Sequence, residues 1–252
     1  MPLSKGFKFK EINTSSFLGY RRMVKFSIVV PAYNEAEYLD VTLRALRNQT
    51  IKNYEIIVKD GCSRDQTVKV AEQLADKVIS NHDSSIGDAR NQGAKYAEGE
   101  VLVFVDADSL LPPETLERFN KLMTEQNVVG GSCRKVPTTG SFLDKFFYEF
   151  INLSTYISSL LCLGGAHGNC MVIKKQVFQQ IGGFNPKIIV AEEQDLVRKA
   201  SKFGKIVFLL DTVVLENPRR LRKWGKLRLY KAWFLGMYRS FKAGKQVYEK
   251  VR

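Results

Sequence analysis

Short apolar runs alternate along this chain with longer stretches in which apolar residues recur every three or four positions. Phe26-Ser27-Ile28-Val29-Val30 reads as a first strand ended by Pro31. Leu39, Leu43 and Leu46 place a helix over about 35–48. Residues 54–58 read as a second strand, 65–76 as a helix capped by Ser63 or Asp65, 77–79 as a short strand, and 84–97 as a helix closed by Gly99. Val101-Leu102-Val103-Phe104-Val105 has no polar interruption, as expected of a central strand buried on both faces. Pro112-Pro113 opens a further helix. Strands alternating with helices of this length predict βαβ units and an α/β fold with a mainly parallel, Rossmann-like sheet and flanking helices. After Gly131 the regularity fails. A long amphipathic segment, a glycine-rich stretch at 164–168, a short strand at 171–173, a helix at 193–203 and a strand at 206–210 complete the body. Neither an internal repeat nor a low-complexity linker appears, which predicts one domain over 26–216 between a basic extension (1–25) and a tail (217–252).

Composition changes this picture only through charge. With 252 residues, 44% hydrophobic and 26% charged, the chain has the make-up of an ordinary globular protein. Its net charge of +13 is carried by the ends. Six basic residues face only Glu11 in 1–25, and twelve face only Glu249 in 217–252, leaving the body mildly acidic. Positive ends predict an anionic partner, a membrane surface or nucleic acid. Cys62, Cys133, Cys162 and Cys170 show neither a C-x-x-C pair nor zinc-ligand spacing, so free thiols in a reducing compartment are expected. Residues 1–22 hold no apolar h-region, so no signal peptide is expected, and the apolar stretch 142–165 is interrupted by Asp144, Lys145, Glu149 and Asn152. It predicts no membrane span, but leaves room for a re-entrant or interfacial helix.

The tail has its own pattern. Leu221, Trp224, Leu227, Trp233, Met237 and Phe241 recur at helical spacing among lysines and arginines, with Gly225 and Gly236 as bends. A basic amphipathic helix or helix pair of this kind suits an interface with anionic lipid, or packs its aromatic stripe on the domain.

Candidate chemistry collects where strands end. Asp106-Ala107-Asp108 comes directly after the all-apolar run, at the strand end outside which ligands bind in open α/β sheets. Two crowded carboxylates need a neutralising cation, and a divalent ion holding substrate phosphates would supply one. Three other motifs fall at the same edge: Val29-Val30-Pro31-Ala32-Tyr33-Asn34-Glu35, Asp60-Gly61-Cys62-Ser63-Arg64-Asp65, and Gly87-Asp88-Ala89-Arg90-Asn91. In this order and separation the four motifs closely resemble the family-2 glycosyltransferases of GT-A fold, over about 26–210.

The resemblance implies an inverting transferase using a nucleotide-diphospho-sugar, with UDP or GDP as carrier. It matches Pro31, Ala32, Tyr33 and Glu35 to the loop around base and ribose, Asp60 to a base-contacting aspartate, and Arg90 to the base edge or diphosphate. Gly61 stands where the common pattern has a second aspartate, which blurs the base preference. Asp106 and Ala107 fall to the ribose side, Asp106 also near the metal, and Asp108 to direct ligation of Mn²⁺ or Mg²⁺, either of which suits an all-oxygen site. Glu192-Glu193-Gln194-Asp195 resembles the family's acidic element, with Glu193 in the place of the catalytic base and Asp195 as the alternative. Gly182-Gly183-Phe184-Asn185 resembles the turn closing the acceptor pocket. His167, on a glycine-rich loop, is a further acceptor-side candidate. The acceptor is a saccharide or a polyprenyl or dolichyl phosphate, and the expected location is cytoplasmic, peripheral to a membrane.

Two other classes compete. A sugar-nucleotide nucleotidyltransferase would need a Gly-rich, basic loop after the first strand, where this chain has Pro31-Ala32-Tyr33-Asn34-Glu35. A non-catalytic nucleic-acid-binding protein would use the tail, but the acidic body offers nothing for base readout, and no nucleic-acid partner is expected.

Overall fold

The computed structural model describes residues 26–161, 165–225 and 231. The N-terminal extension, Cys162 and the tail stripe beyond Gly225 lie outside them. The elements run β1 (Phe26–Ala32), α1 (Ala36–Arg47), β2 (Tyr54–Asp60), α2 (Thr67–Leu74), β3 (Lys77–Ser80), α3 (Ile86–Ala94), β4 (Val101–Val105), β5 (Ser109–Leu110), α4 (Thr115–Thr124), β6 (Val128–Pro137), α5 (Phe142–Leu160), β7 (Cys170–Lys174), α6 (Lys175–Gln180), α7 (Glu192–Ala200), β8 (Lys205–Glu216) and α8 (Arg219–Trp224).

One mixed sheet in the order β3-β2-β1-β4-β7-β6-β8-β5 carries them. The βαβ half, β3 to β4, is parallel as expected. Beyond β4 the sheet changes character: β7 is antiparallel to both β4 and β6, while β8 runs parallel to β6. Side chains of β4 alternate between two cores, as a strand buried on both faces requires. Val101, Val103 and Val105 join Leu39, Leu43, Leu46, Leu116 and Phe119 on one face. Leu102 and Phe104 join Phe178, Phe184 and Leu196 on the other. Phe104 meets Phe184 edge-on at 5.1 Å.

Three elements depart from the sequence expectation. Pro31 does not end β1, which continues to Ala32 beside Asp60 of β2. The ladder between β1 and β4 stops at Val29, so the missing N–H of proline falls where the sheet has already opened. In open α/β sheets ligands bind outside strand ends that part in this way, which puts the candidate crevice here. Second, β6 occupies the region where the pattern fails. Gly130 and Gly131, after which the regular pattern fails, are strand residues squeezed between neighbours. A Cβ at Gly131 would stand 2.5 Å from the Val207 carbonyl oxygen and 2.7 Å from Leu122 Cδ2. Gly131→Ala is therefore expected to destabilise the fold by about 1–3 kcal/mol, measurable as a lower urea midpoint. Third, β8 runs past Leu210 to Glu216 and pairs with the two-residue β5. This stitch places the chain after β8 beside the Asp-x-Asp turn.

Candidate active site

The loops after β1 and β2 are tied together. The Asn34 N–H donates to Ser63 Oγ (2.8 Å), the Arg64 N–H to Asn34 Oδ1 (2.9 Å), and the Glu35 N–H to Thr67 Oγ1 (2.8 Å). Asn34 and Cys62 adopt the left-handed backbone at the two bends. Asp60 is fully buried beneath them, accepting from the Ser63 N–H and from Ser80 Oγ at 2.6 Å. Its carboxylate holds the turn through these bonds. Buried Lys59 fixes the same corner, donating to the carbonyls of Asp60 and Asn81 at 2.7 Å each. Pro31 and Ala32 form the floor at the end of β1, with Tyr33 half-buried at its rim.

The Asp-x-Asp turn joins β4 to β5. Ala107 points inward, and its carbonyl accepts from Thr42 Oγ1 at 2.8 Å. The flanking carboxylates part and each meets an arginine. Arg90 donates to Asp106 Oδ1 (2.8 Å), Glu192 Oε1 (2.8 Å) and the Gly168 carbonyl (2.7 Å), with its guanidinium over the Phe184 ring. Arg219 donates to Asp108 Oδ2 (2.8 Å) and Glu35 Oε1 (2.6 Å), and lies over the Tyr38 ring. Two cationic bridges thus flank the turn, each tying one of its carboxylates to a carboxylate from another part of the chain. Burial opposes the charge on both arginines, but the paired carboxylates outweigh it and raise both above the ordinary arginine range.

Arg90 is only 1% exposed, held by Asp106, Glu192 and the Gly168 carbonyl. Removing one partner of such a buried cluster leaves charges uncompensated. Arg90→Ala is expected to cost about 3–5 kcal/mol in urea unfolding. Arg219, grouped in sequence with the tail, belongs to the site. Its signal was its place directly after a strand, in Asn217-Pro218-Arg219, rather than any charge pattern. Pro218 and Leu221 beside it are buried.

The acidic element opens α7. Ala191 takes the left-handed backbone (φ 61°, ψ 34°), at a cost of about 1–2 kcal/mol for a residue with a Cβ, and this kink turns the helix start inward. Glu192, Glu193 and Asp195 are all buried, which excludes a solvated acidic helix end. Their fates differ. Glu192 pairs with Arg90, while Asp195 pairs with Arg198 (2.8 Å) and Lys199 (2.6 Å) of its own helix. Burial, then the neighbouring Glu192 charge, pushes the Glu193 carboxyl up to about 8. Gly168 passes close above: a Cβ there would stand 3.5 Å from Glu193 Oε2 and 3.2 Å from Arg90 Nη2.

On the acceptor side, Gly182 and Gly183 both have positive φ. Asn91 pins the turn they make, accepting from the Phe184 N–H (2.9 Å) and donating to its carbonyl (2.8 Å). His167 is not an exposed loop residue. It is buried in an isolated bridge to Cys170, its Nε2 3.1 Å from Asn152 Oδ1 and its ring edge-on to Phe208. Burial and the nearby Lys135 charge push its pKa well below the ordinary histidine value. Lys135, over the Tyr148 ring and 3.5 Å from Glu216 Oε2, is a cation that no sequence motif singles out.

The family model described as glycosyl transferase family 2 matches residues 27–182, spanning every strand and motif that builds the crevice up to the Gly182 turn. The chain belongs to this family. Among its relatives, poly(ribitol-phosphate) β-N-acetylglucosaminyltransferase TarS of Staphylococcus aureus strain Mu50 is 36% identical over 103 residues, 38% of this chain and 18% of TarS. The chain therefore matches less than a fifth of that relative's length. Two solved structures share the fold. Mannosyltransferase PcManGT from Pyrobaculum calidifontis, in complex with GDP-Man and Mn²⁺, superposes with a TM-score of 0.71 at 21% identity, covering 88% of this chain and 66% of that one. TarS residues 1–349 in complex with UDP-GlcNAc give 0.63 at 24% identity, covering 77% and 58%. Within the glycosyl transferase family 2 match lie Glu35, Arg90, Asp106 and Asp108; Arg219 and the α7 acids lie beyond it.

Proposed function

We propose that this chain moves a sugar, with inversion, from a nucleotide-diphospho-sugar to a hydroxyl or phosphate acceptor. The observation that carries the reading is the pairing at the crevice: a split carboxylate turn at the end of β4, and the buried Glu193 beside Gly168. Pro31, Ala32, Tyr33 and Glu35 line the side suited to base and ribose, with Asp60 and Lys59 bracing that wall. Both UDP- and GDP-sugars fit this reading, since the relatives' solved complexes hold one of each.

The donor set suits a hard divalent ion, Mn²⁺ or Mg²⁺. Asp106 and Asp108 offer only oxygen, and among the described residues no cluster of three or more acidic, histidine or cysteine side chains would hold a metal unaided. That matches a site completed by phosphate and water oxygens. Asp108, with Asp106, would hold the ion, which supplies Lewis-acid stabilisation to a departing diphosphate. Arg219, already at Asp108, brings a second positive charge to the same place. Glu193 takes the proton from an attacking hydroxyl, and Asp195, occupied by Arg198 and Lys199, leaves that role to it. Membership of the family displaces the nucleotidyltransferase reading. We further place the protein peripherally at the cytoplasmic face of a membrane, on the strength of the basic amphipathic pattern in 221–241 and the absence, among the described residues, of a helix long and apolar enough to span one.

A panel of UDP- and GDP-sugars tests this reading. Hydrolysis and transfer are measured with Mn²⁺, with Mg²⁺ and with EDTA, using lipid-phosphate and saccharide acceptors. At least one donor is expected to turn over with metal and to stop with EDTA. No turnover of any donor would overturn the proposal.

A further inference from the structure

The longest helix of the domain leaves one face bare. On α5, Tyr148, Ile151, Asn152 and Thr155 are buried against the sheet. The opposite side carries Phe142, Leu143, Phe146, Leu153, Ile157 and Leu160, each between 46 and 81% exposed. Spaced by three, four and seven residues, they form one stripe about 28 Å long at 1.5 Å per residue. A soluble monomer rarely leaves a continuous stripe of large apolar side chains in water.

Charge around the stripe identifies the occupant. The acids of α5 are already engaged: Asp144 caps the helix with Ser141, and Glu149 pairs with Arg134. Exposed Lys145 remains on the helix, and exposed Arg222 and Lys223 stand at its N-terminal end. Arg222 Nη2 donates to Thr139 Oγ1 at 2.6 Å, two residues before the Ser141 cap, so the chain leaves α8 beside the start of α5. Residues 226–252 carry eight lysines and arginines against Glu249. An apolar stripe with exposed Lys145, Arg222 and Lys223 near it matches an anionic bilayer, apolar toward the acyl boundary and positive toward the headgroups. A second copy seated on the stripe would instead bring these like charges together.

We infer that the exposed face of α5 is a lipid-docking surface for anionic bilayers. This sharpens the peripheral-membrane reading by assigning the contact to the folded domain, not to the tail alone. The loop after α5 also connects this face to the site: Gly165 packs against Ser159 near the end of α5, and three residues later the Gly168 carbonyl accepts from Arg90.

The test is flotation of the full-length protein with phosphatidylcholine vesicles, with and without phosphatidylglycerol. Four proteins are compared: wild type, Phe146→Glu/Leu153→Glu, the tail variant Lys226→Glu/Arg228→Glu, and Val41→Glu as a control at an exposed apolar residue of α1. Light scattering gives each mass, thermal unfolding checks each fold, and hydrolysis of the sugar nucleotide reports the site. Wild type and Val41→Glu are expected to float with anionic vesicles, and the α5 double variant to lose at least about tenfold in binding with melting and hydrolysis unchanged. Undiminished flotation of the α5 variant overturns the inference. If only the tail variant then loses binding, peripheral attachment stands and the α5 surface falls. If wild type does not float, both fall, while hydrolysis judges the transferase reading separately. A wild-type dimer that becomes monomeric in the α5 variant, with no vesicle binding by either, assigns the stripe to a second copy and overturns the lipid assignment.

Discussion

Asp108→Ala is expected to lower metal-dependent turnover by about 10³-fold or more, the scale on which removing charge stabilisation at a reacting group acts. The measurement is nucleoside diphosphate release across a Mn²⁺ titration. Asp108→Asn should fall nearly as far, because the amide preserves shape and removes the charge that would hold an ion. The structure also separates this loss from unfolding. Arg219, the partner of Asp108, retains about a third of its exposure and a second carboxylate, Glu35. Because Arg219 keeps both that exposure and Glu35, whereas Arg90 is buried on all sides, the variant should lose less stability than Arg90→Ala. Full turnover in Asp108→Ala would remove the Asp-x-Asp turn from the site. An equal loss of melting temperature would recast Asp108 as an anchor for Arg219. Arg90→Ala is predicted to do the opposite, losing stability first, because that arginine has no solvent to fall back on.

That contrast between two arginines also measures what could be read in advance. Strand β4 was legible because it is buried on both faces and apolar throughout, β1 and β2 through their apolar runs Ile28-Val29-Val30 and Ile56-Ile57-Val58, and the motifs at their ends mark the edge at which parallel strands stop. The carboxylate turn was legible for the same reason. Gly130 and Gly131 concealed β6, because two glycines signal a turn locally. Their cause, the close approach of β7 and β8, is a property of the sheet. Asp211 and Thr212 similarly masked the continuation of β8 beyond Leu210. Arg219 was hidden by distance along the chain: its partners lie 111 and 184 residues away, and only the pairing of β8 with β5 brings them together. His167 sits among glycines, which suggested exposure, whereas Asn152 of α5 and Phe208 of β8 bury it. The acidic element was visible as a cluster. What divides it is Arg90, 102 residues from Glu192.

Glu193→Gln is expected to slow transfer to a hydroxyl by about 10²- to 10⁴-fold while leaving sugar-nucleotide binding intact, since a general base acts in the transition state and not on the donor. Its pH behaviour distinguishes a base from a prop. With its carboxyl pushed up to about 8, Glu193 holds its proton at neutral pH in the free enzyme. Wild-type kcat/KM should therefore rise about tenfold per unit as pH climbs toward 8 and level above it. The slow residual rate of Glu193→Gln should lack that limb. Stability should run the other way. Between the ordinary value of 4.5 and about 8, the folded chain holds a proton that the unfolded chain has released, so raising pH through this window weakens the fold. Glutamine cannot ionise, so the variant should melt higher than wild type near pH 8 and no differently near pH 4. Asp195→Asn, whose carboxylate is engaged by Arg198 and Lys199, should keep most of the rate and the rising limb. If Asp195→Asn removes the limb and Glu193→Gln does not, the base is Asp195, and the buried carboxyl beside Glu192 is structural.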